Sequence, residues 1–354
     1  MTIQDLKTIV IIGTSRRGSL LSVALPSVLK QTKHPDALYI VSDEEMHLGN
    51  EDIFNKLRDK IRLKYLFNQR EKNLSGAINT ALYEIIGDGF DPERTYVAVL
   101  DDDDWWEPEY LESCFNEAIN KYSDWIISGI VRHNEEDVGI NLTIPESIAE
   151  WQFLRGNPHV QGSNLFVRLS KLLMAGGYDE NLPSTTDRDV SLRLLALGDL
   201  RISFIKRHMV HHRAYGSGRL SEQGSKRKCQ GLKRFYFKYQ PLMDRQDEES
   251  FHRRSKEYFG CNVGISADDS KRDLLWLNPS HEENDKINII IGVIVSDQSK
   301  FPSLIQDVLG FHYETQSISA VVVSDNAALP GDKIEEAQNE LKEYGICNPD
   351  GGSE

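Results

Sequence analysis

The chain has 354 residues, 39% of them hydrophobic and 27% charged, with a formal net charge of −14. That apolar fraction supports one large core or two ordinary ones and excludes a disordered chain. The acidic excess argues against nucleic acid as a partner. No apolar run reaches bilayer-spanning length and the N-terminus lacks a signal-peptide core, so no integral membrane segment is expected. Cys114, Cys229, Cys261 and Cys347 make no C-x-x-C pair and no zinc spacing. They are expected to be buried or idle thiols, as suits a reducing cytoplasm.

In chain order, Thr8–Ile12 reads as a strand, and Leu21, Ala24, Leu25 and Val28 mark one apolar helix face. Strands follow at 37–41 and 61–67, a helix at 77–86, and an apolar strand from Tyr96 that ends at Asp101. This β-α-β-α order predicts an α/β fold with a mostly parallel sheet covered by helices on both faces. Beyond it lie a strand at 161–167, a helix at 187–197 and a strand at 200–205. A basic segment, glycine-rich near Tyr215, runs from Lys206 to Arg234; residues 219–259 read as helical and 262–286 as a polar linker. The opening pattern then returns: Ile289–Gly292 echoes Ile11–Gly13, and Val321–Asp325 echoes Tyr39–Asp43. A repeat at near-constant offset predicts a partial second α/β unit at 287–354, the start of a possible second domain of the same type in a longer chain. The expected domains are 1–220, a helical connector and linker over 221–286, and this partial unit.

The most informative segment is Leu100-Asp101-Asp102-Asp103-Asp104-Trp105-Trp106. Four like charges at the C-terminal end of a buried strand repel one another, and that edge of an α/β sheet is where ligands bind. A divalent cation would resolve the repulsion, and Mg²⁺ or Mn²⁺ prefer oxygen ligands. A solvated acidic turn before the helix start at Pro108 is the plain alternative. Trp105 and Trp106 suit either stacking on a sugar ring or buried packing. Gly13-Thr-Ser-Arg-Arg-Gly18 has glycines at phosphate-loop spacing but no following Lys-Ser/Thr, which excludes a P-loop NTPase.

Several segments together resemble a family-2 glycosyltransferase of the GT-A fold over residues 7–221. They are Thr14 with Leu20…Thr32, Ile40–Asp43, Asn73–Asn79, Leu100–Trp106, Gly162–Phe166, Gly176–Asp179 and Thr186–Val190. Ile78 and Thr186 depart from that pattern, where Arg and Glu are usual. The resemblance implies transfer of a sugar from a nucleotide-diphosphate donor, of UDP type, to a glycan or other hydroxyl acceptor. It implies Mn²⁺ or Mg²⁺ held by Asp103, with Asp104 as a second or alternative ligand and His211 or His212 nearby. Adjacent histidines point in different directions, so at most one is expected to be a ligand. Thr14, Asp43, Asn73, Gly76, Asn79, Asp101, Asp102, Arg213 and Arg219 are the implied donor contacts. Asp43 could accept from a base N–H, or simply cap the next helix.

An acceptor hydroxyl must lose its proton as it attacks, and a carboxylate within hydrogen-bond reach can take it. The resemblance offers Asp187 or Asp189 as that base, with single-displacement inversion; Asp187 could equally be a helix cap. The basic segment from Arg213 to Lys228 suits a loop closing over a diphosphate, or a solvated basic helix. Two rivals share the acidic strand end: a sugar nucleotidyltransferase, for which Arg16-Arg17-Gly18 is a thin signature, and a non-catalytic nucleotide- or glycan-binding module of a larger polymerase.

Overall fold

The computed structural model describes residues 6–44, 52–215 and 222–263, and the backbone of two further strands at 289–295 and 318–324. It separates into two units, Met1–Gly264 and Ile265–Glu354. The first begins with β1 (Lys7–Thr14), then α1 (Arg17–Ser19), a π-helical turn (Leu20–Ala24) and α2 (Leu25–Leu29). Next come β2 (Ala37–Ser42), α3 (Asp52–Arg58), β3 (Arg62–Phe67), α4 (Leu74–Gly87) and β4 (Thr95–Val99). The remainder comprises β5 (Trp105–Trp106), α5 (Tyr110–Lys121), β6 (Trp125–His133), β7 (Gly139–Asn141), α6 (Glu150–Arg155), β8 (Leu165–Arg168), α7 (Leu169–Met174), α8 (Thr186–Leu195), β9 (Ile202–Arg213), α9 (Lys226–Tyr239) and α10 (Arg245–Phe259).

The sheet runs β3-β2-β1-β4-β8-β6-β9-β5, with β7 beside β6. β3, β2, β1 and β4 are mutually parallel, β8 is antiparallel to both neighbours, and β9 is parallel to β6. Two-residue alternation divides each strand between two cores. Ile9, Ile11, Tyr39, Val41, Val97 and Val99 face one, against Ile78, Ala81 and Ile85 of α4. Val10, Ile12, Leu38, Ile40, Tyr96 and Ala98 face the other, against Leu25, Val28, Phe54, Leu111 and Cys114. Burial on both faces is why these strands read as unbroken apolar runs.

Several elements differ from the sequence reading. β6, a central strand, is missing from that reading although Trp125–Ile130 is apolar. β9 extends to Arg213 rather than ending at 205. Its continuation carries exposed Lys206 beside buried Met209 and Val210, with register shifts against β6 at Gly129, so no clean period marks it. Within the span read as helical, the described residues form two helices, α9 and α10. They part at Gln240-Pro241, and Asp244 caps α10 by accepting from the Asp247 amide at 2.7 Å. Their residues Leu232, Phe235, Tyr239 and Phe251 join the core that Ile9 and Ile11 help to form, so the first compact unit continues through the region read as a connector.

The cysteine reading is corrected. Cys229 on α9 and Cys261 just after α10 form a disulfide, while Cys114 is a buried thiol and Cys347 lies outside the described residues. The hairpin of α9 and α10 brings together two positions 32 residues apart, which spacing alone could not reveal. A disulfide is the chemistry of an oxidising environment, so the thiol argument for a reducing cytoplasm falls away. No described helix is long and apolar enough to cross a membrane.

In the second unit, β10 (Ile289–Val295) and β11 (Ile318–Ser324) pair in parallel. These are the segments that the sequence pattern sets against β1 and β2. The rest of this unit, Asp325 included, lies outside the described residues.

Closing a loop of this length is worth about 3–4 kcal/mol. Reduction, or Cys229→Ser, is therefore expected to lower the stability of the first unit by about that much. Thermal unfolding with and without dithiothreitol measures it; an unchanged midpoint would show that core packing alone secures α9 and α10.

Candidate functional site

β4 delivers the four aspartates to the carboxyl end of the sheet, beside the loop that follows β1. Asp102 is buried and accepts from the Thr14 hydroxyl at 2.6 Å and from the Arg16 guanidinium. The same guanidinium donates to Asp103 at 2.8 Å. Burial raises the Asp102 pKa beyond what Thr14 and Arg16 pull down.

Asp104 turns the other way. It accepts from the Ser163 hydroxyl at 2.6 Å and from the Arg213 amide at 3.0 Å, and His212 Nδ1 stands 3.2 Å from both its oxygens. Burial opposes its charge, but His212, Ser163 and the Arg213 amide outweigh that and hold its carboxyl below the usual range. Asp101 receives no such compensation. Burial, followed by repulsion from Asp104, Asp103, Asp187 and Asp102, drives its pKa well above the ordinary value.

The turn Gly162–Asn164 ties this strand end to the rest of the site. Ser163 accepts from the Asp101 amide at 3.2 Å, and its carbonyl accepts from the Trp106 indole at 2.7 Å. Trp106 is thus buried packing, stacked on Tyr110. Trp105 stacks on His211 with centroids 4.9 Å apart. A Cβ on Gly162 would lie 3.6 Å from Asp187 Oδ1 and 3.7 Å from Asp101 Oδ1. Asp187 and Asp101 therefore approach the same glycine.

The two candidate bases have different surroundings. Asp187 opens α8, and burial pushes its pKa to about 6 against the pull of Lys228, His212 and the Gly162 amide. Asp189 is fully buried and accepts from Arg193 at 2.6 Å, Lys238 at 2.7 Å and the Tyr239 hydroxyl at 2.7 Å. Burial opposes its charge, but Arg193 and Lys238 hold its pKa below the ordinary value. Lys228, in the first turn of α9, has its own pKa lowered to about 8 by burial and then by Arg188.

The other expected site residues disperse. Asp43 accepts from Asn68 at 2.6 Å beside the site. Asn73 caps α4 by accepting from Gly76, whose added Cβ would fall 2.1 Å from the Glu71 carbonyl. Asn79 braces the turn at Tyr178, donating to its carbonyl at 2.7 Å and accepting from its amide at 2.9 Å. His211 points away from Asp104: its Nε2 is 2.7 Å from Glu107 and its Nδ1 is 2.9 Å from His133. Of the residues expected around a metal, His212 meets Asp104 while Asp103 pairs with Arg16, and no group of three or more His, Cys, Asp or Glu among the described residues is arranged as a metal site. Arg219 lies outside the described residues.

Sequence reasoning gave no role to Ser163, Arg16 or Lys228 individually. Arg16 was visible as a cation in the loop after β1, and Lys228 as one of a basic run. Ser163 carried no signal beyond its place in a motif.

Residues 9–174 match the profile described as glycosyl transferase family 2. Among solved structures, S. aureus TarS 1-349 is similar with a TM-score of 0.51 and 16% identity, over 71% of this chain and 72% of that one. The same TarS fragment in complex with UDP-GlcNAc gives a TM-score of 0.50 and 15% identity, over 75% of this chain and 78% of that one. At these identities the likeness carries the fold. No curated protein matches the sequence.

Asp187 has a raised pKa, so its contribution to folding is present in acid and is lost as pH rises through about 6. Asp187→Asn is therefore expected to be more stable than the natural protein at pH 8, by about 1–3 kcal/mol. The gain should vanish near the ordinary carboxylate pKa, about 4. Urea unfolding at the two pH values measures this, and a pH-independent difference would remove the burial account.

Proposed function

We propose, from the match of residues 9–174 to the profile of glycosyl transferase family 2, that the chain transfers a sugar from a nucleotide-diphosphate donor to an acceptor hydroxyl in one inverting displacement. The observation that carries this reading is the contrast between Asp187 and Asp189. Asp187 is poised at a pKa of about 6, across Gly162 from the aspartate cluster, whereas Asp189 is locked by two cations and a tyrosine. A general base works best with a pKa near the operating pH. Asp187 takes the acceptor proton as the acceptor oxygen bonds to the anomeric carbon. The anomeric carbon–phosphate oxygen bond breaks and its electron pair leaves with the nucleoside diphosphate. Asp189 positions the start of α8 by anchoring it to α9.

At the donor end, Asp43, steadied by Asn68, is assigned to the base edge, and Thr14 and Asp102 to the rim of the nucleotide site. A UDP-type donor is favoured, in keeping with the UDP and UDP-GlcNAc complexes of TarS. The donor set suits a hard divalent cation: the charge on Asp101 is strongly disfavoured by its neighbours, and carboxylate oxygens are the preferred ligands of Mn²⁺ and Mg²⁺. Asp101 and Asp103 would hold it, and bound there it would neutralise charge on the diphosphate. Arg16, which pairs with Asp102 and Asp103, must then exchange partners, and a phosphate is the natural one. Residues 287–354 are read as the opening of a second unit of the same type.

The direct test is donor hydrolysis across a panel of nucleotide sugars with Mn²⁺. Asp187→Asn is expected to bind donor with unchanged affinity and to lose transfer by at least about a hundredfold. Transfer by the natural enzyme should rise with pH through about 6. Asp189→Asn should instead destabilise the fold, because it strands the half-buried Arg193 and Lys238. If Asp187→Asn keeps full turnover, the base assignment is wrong.

Calorimetry of UDP binding with and without Mn²⁺ tests the other end of the site. Tightening by metal in the natural protein, and loss of that tightening in Asp103→Ala, are the expected results. Equal affinity in EDTA would separate this enzyme from metal-dependent transferases.

A further inference from the structure

A second cavity lies on the Asp187 side of the molecule, between α6, the loop that follows it and α10. It has a volume of about 430 Å³, within the range of ligand sites. Its lining includes Trp151, Arg155, Asn157, Arg253, Arg254 and Tyr258. Trp151 is 51% exposed and Tyr258 63% exposed. Each carries a guanidinium over its ring, Arg155 at 4.9 Å from the Trp151 centroid and Arg254 at 4.8 Å from that of Tyr258.

The charge is as distinctive as the shape. Three arginines and one carboxylate, Glu257, line the cavity of a protein whose net charge is −14. Arg155 is paired with Asp247, but among the described residues Arg253 and Arg254 make no ion pair. Arg254 also repels the cations behind it. Its charge helps lower the pKa of buried Arg188, of Lys228 and of His159. Among the described residues no carboxylate pairs with Arg188; it is held by the carbonyls of Phe153 and Leu154 and by the faces of Phe235 and Phe251. A cationic cluster with so little internal compensation is stabilised by an anion from outside.

The cavity is joined to the site already described. Arg188 clamps α6 onto α8, the helix that begins beside Asp187. The loop from Gly156 passes along Arg254, whose side chain a Cβ there would meet at 3.5 Å, and continues through left-handed His159 to Gly162 against Asp187. Exposed aromatic rings stack on sugar faces, and unpaired arginines bind phosphate or carboxylate in a bidentate manner.

We infer that this groove between α6 and α10 is the acceptor subsite and takes an anionic glycan, one that carries phosphate or carboxylate groups. The word acceptor rests on the transferase reading above; the anionic glycan site itself does not. The groove holds the acceptor chain along α10 and directs its terminal hydroxyl past His159 toward Asp187.

Binding to the full chain is measured by calorimetry with three probes: a glycerol-phosphate oligomer, an oligogalacturonate and neutral maltoheptaose. At least one anionic probe should bind ten times more tightly than maltoheptaose. Its affinity should fall at least tenfold in Arg253→Gln/Arg254→Gln and at least fivefold in Trp151→Ala, while UDP binding stays unchanged in both variants. Preference for the glycerol-phosphate or the galacturonate probe identifies the charged group; either result supports the site. Equal binding of maltoheptaose, no binding of either anion, or anion binding indifferent to the double substitution overturns it. Anion binding that behaves as expected in a chain that neither binds UDP nor hydrolyses any donor would sink the transferase reading and leave the glycan site standing.

Discussion

The repulsion among four carboxylates at the end of β4 is the constraint around which the first unit is organised. In a buried strand that ends in consecutive aspartates, each ionised carboxylate without a partner is costly. Asp102 and Asp103 are answered by one guanidinium from the loop after β1. Asp104 is answered by a serine, a histidine and a main-chain amide brought from two distant segments. Asp101 is left with its charge disfavoured. The distribution is uneven: three of the carboxylates have partners, and Asp101, the first of the run, is the one whose charge is disfavoured.

Helix geometry decides the roles of the two acids on α8. Residues two apart on a helix point roughly 200° from one another. Asp189 therefore faces the core and the cations of α8 and α9, while Asp187 faces the strand end. The same device operates on β9, where successive side chains alternate. His212 meets Asp104, and His211 turns to Glu107, His133 and Trp105. In each pair, one residue serves the site and its near neighbour holds the scaffold.

Charge is partitioned across the molecule. Acid gathers at the sheet edge, where a diphosphate would need a cation between it and the protein. Base gathers around Arg254, Arg188 and Lys228, on the far side of Asp187. The disulfide between Cys229 and Cys261 closes the hairpin that carries part of this cationic side, so the position of Lys228 beside Asp187 depends on a covalent link as well as on packing.

The sequence by itself determined the parallel half of the sheet and the place of the acidic site. Those features are local: apolar runs buried on both faces have no period to hide, and four adjacent aspartates are adjacent in any fold. It also limited the adjacent histidines to at most one metal ligand, since neighbouring side chains point in different directions whatever the local structure. Only the tertiary structure decided which acid is free, because Asp187 and Asp189 look alike until Arg193, Lys238 and Tyr239 arrive from i+4 and from another helix. It alone extended β9 past a run of charged residues, since its partner β6 supplies the hydrogen bonds that the side-chain pattern does not announce. It alone joined Cys229 to Cys261 and set Arg16 on Asp102, contacts between residues 32 and 86 positions apart in the chain. Such pairings depend on how helices and loops are brought together, and no short-range pattern encodes that.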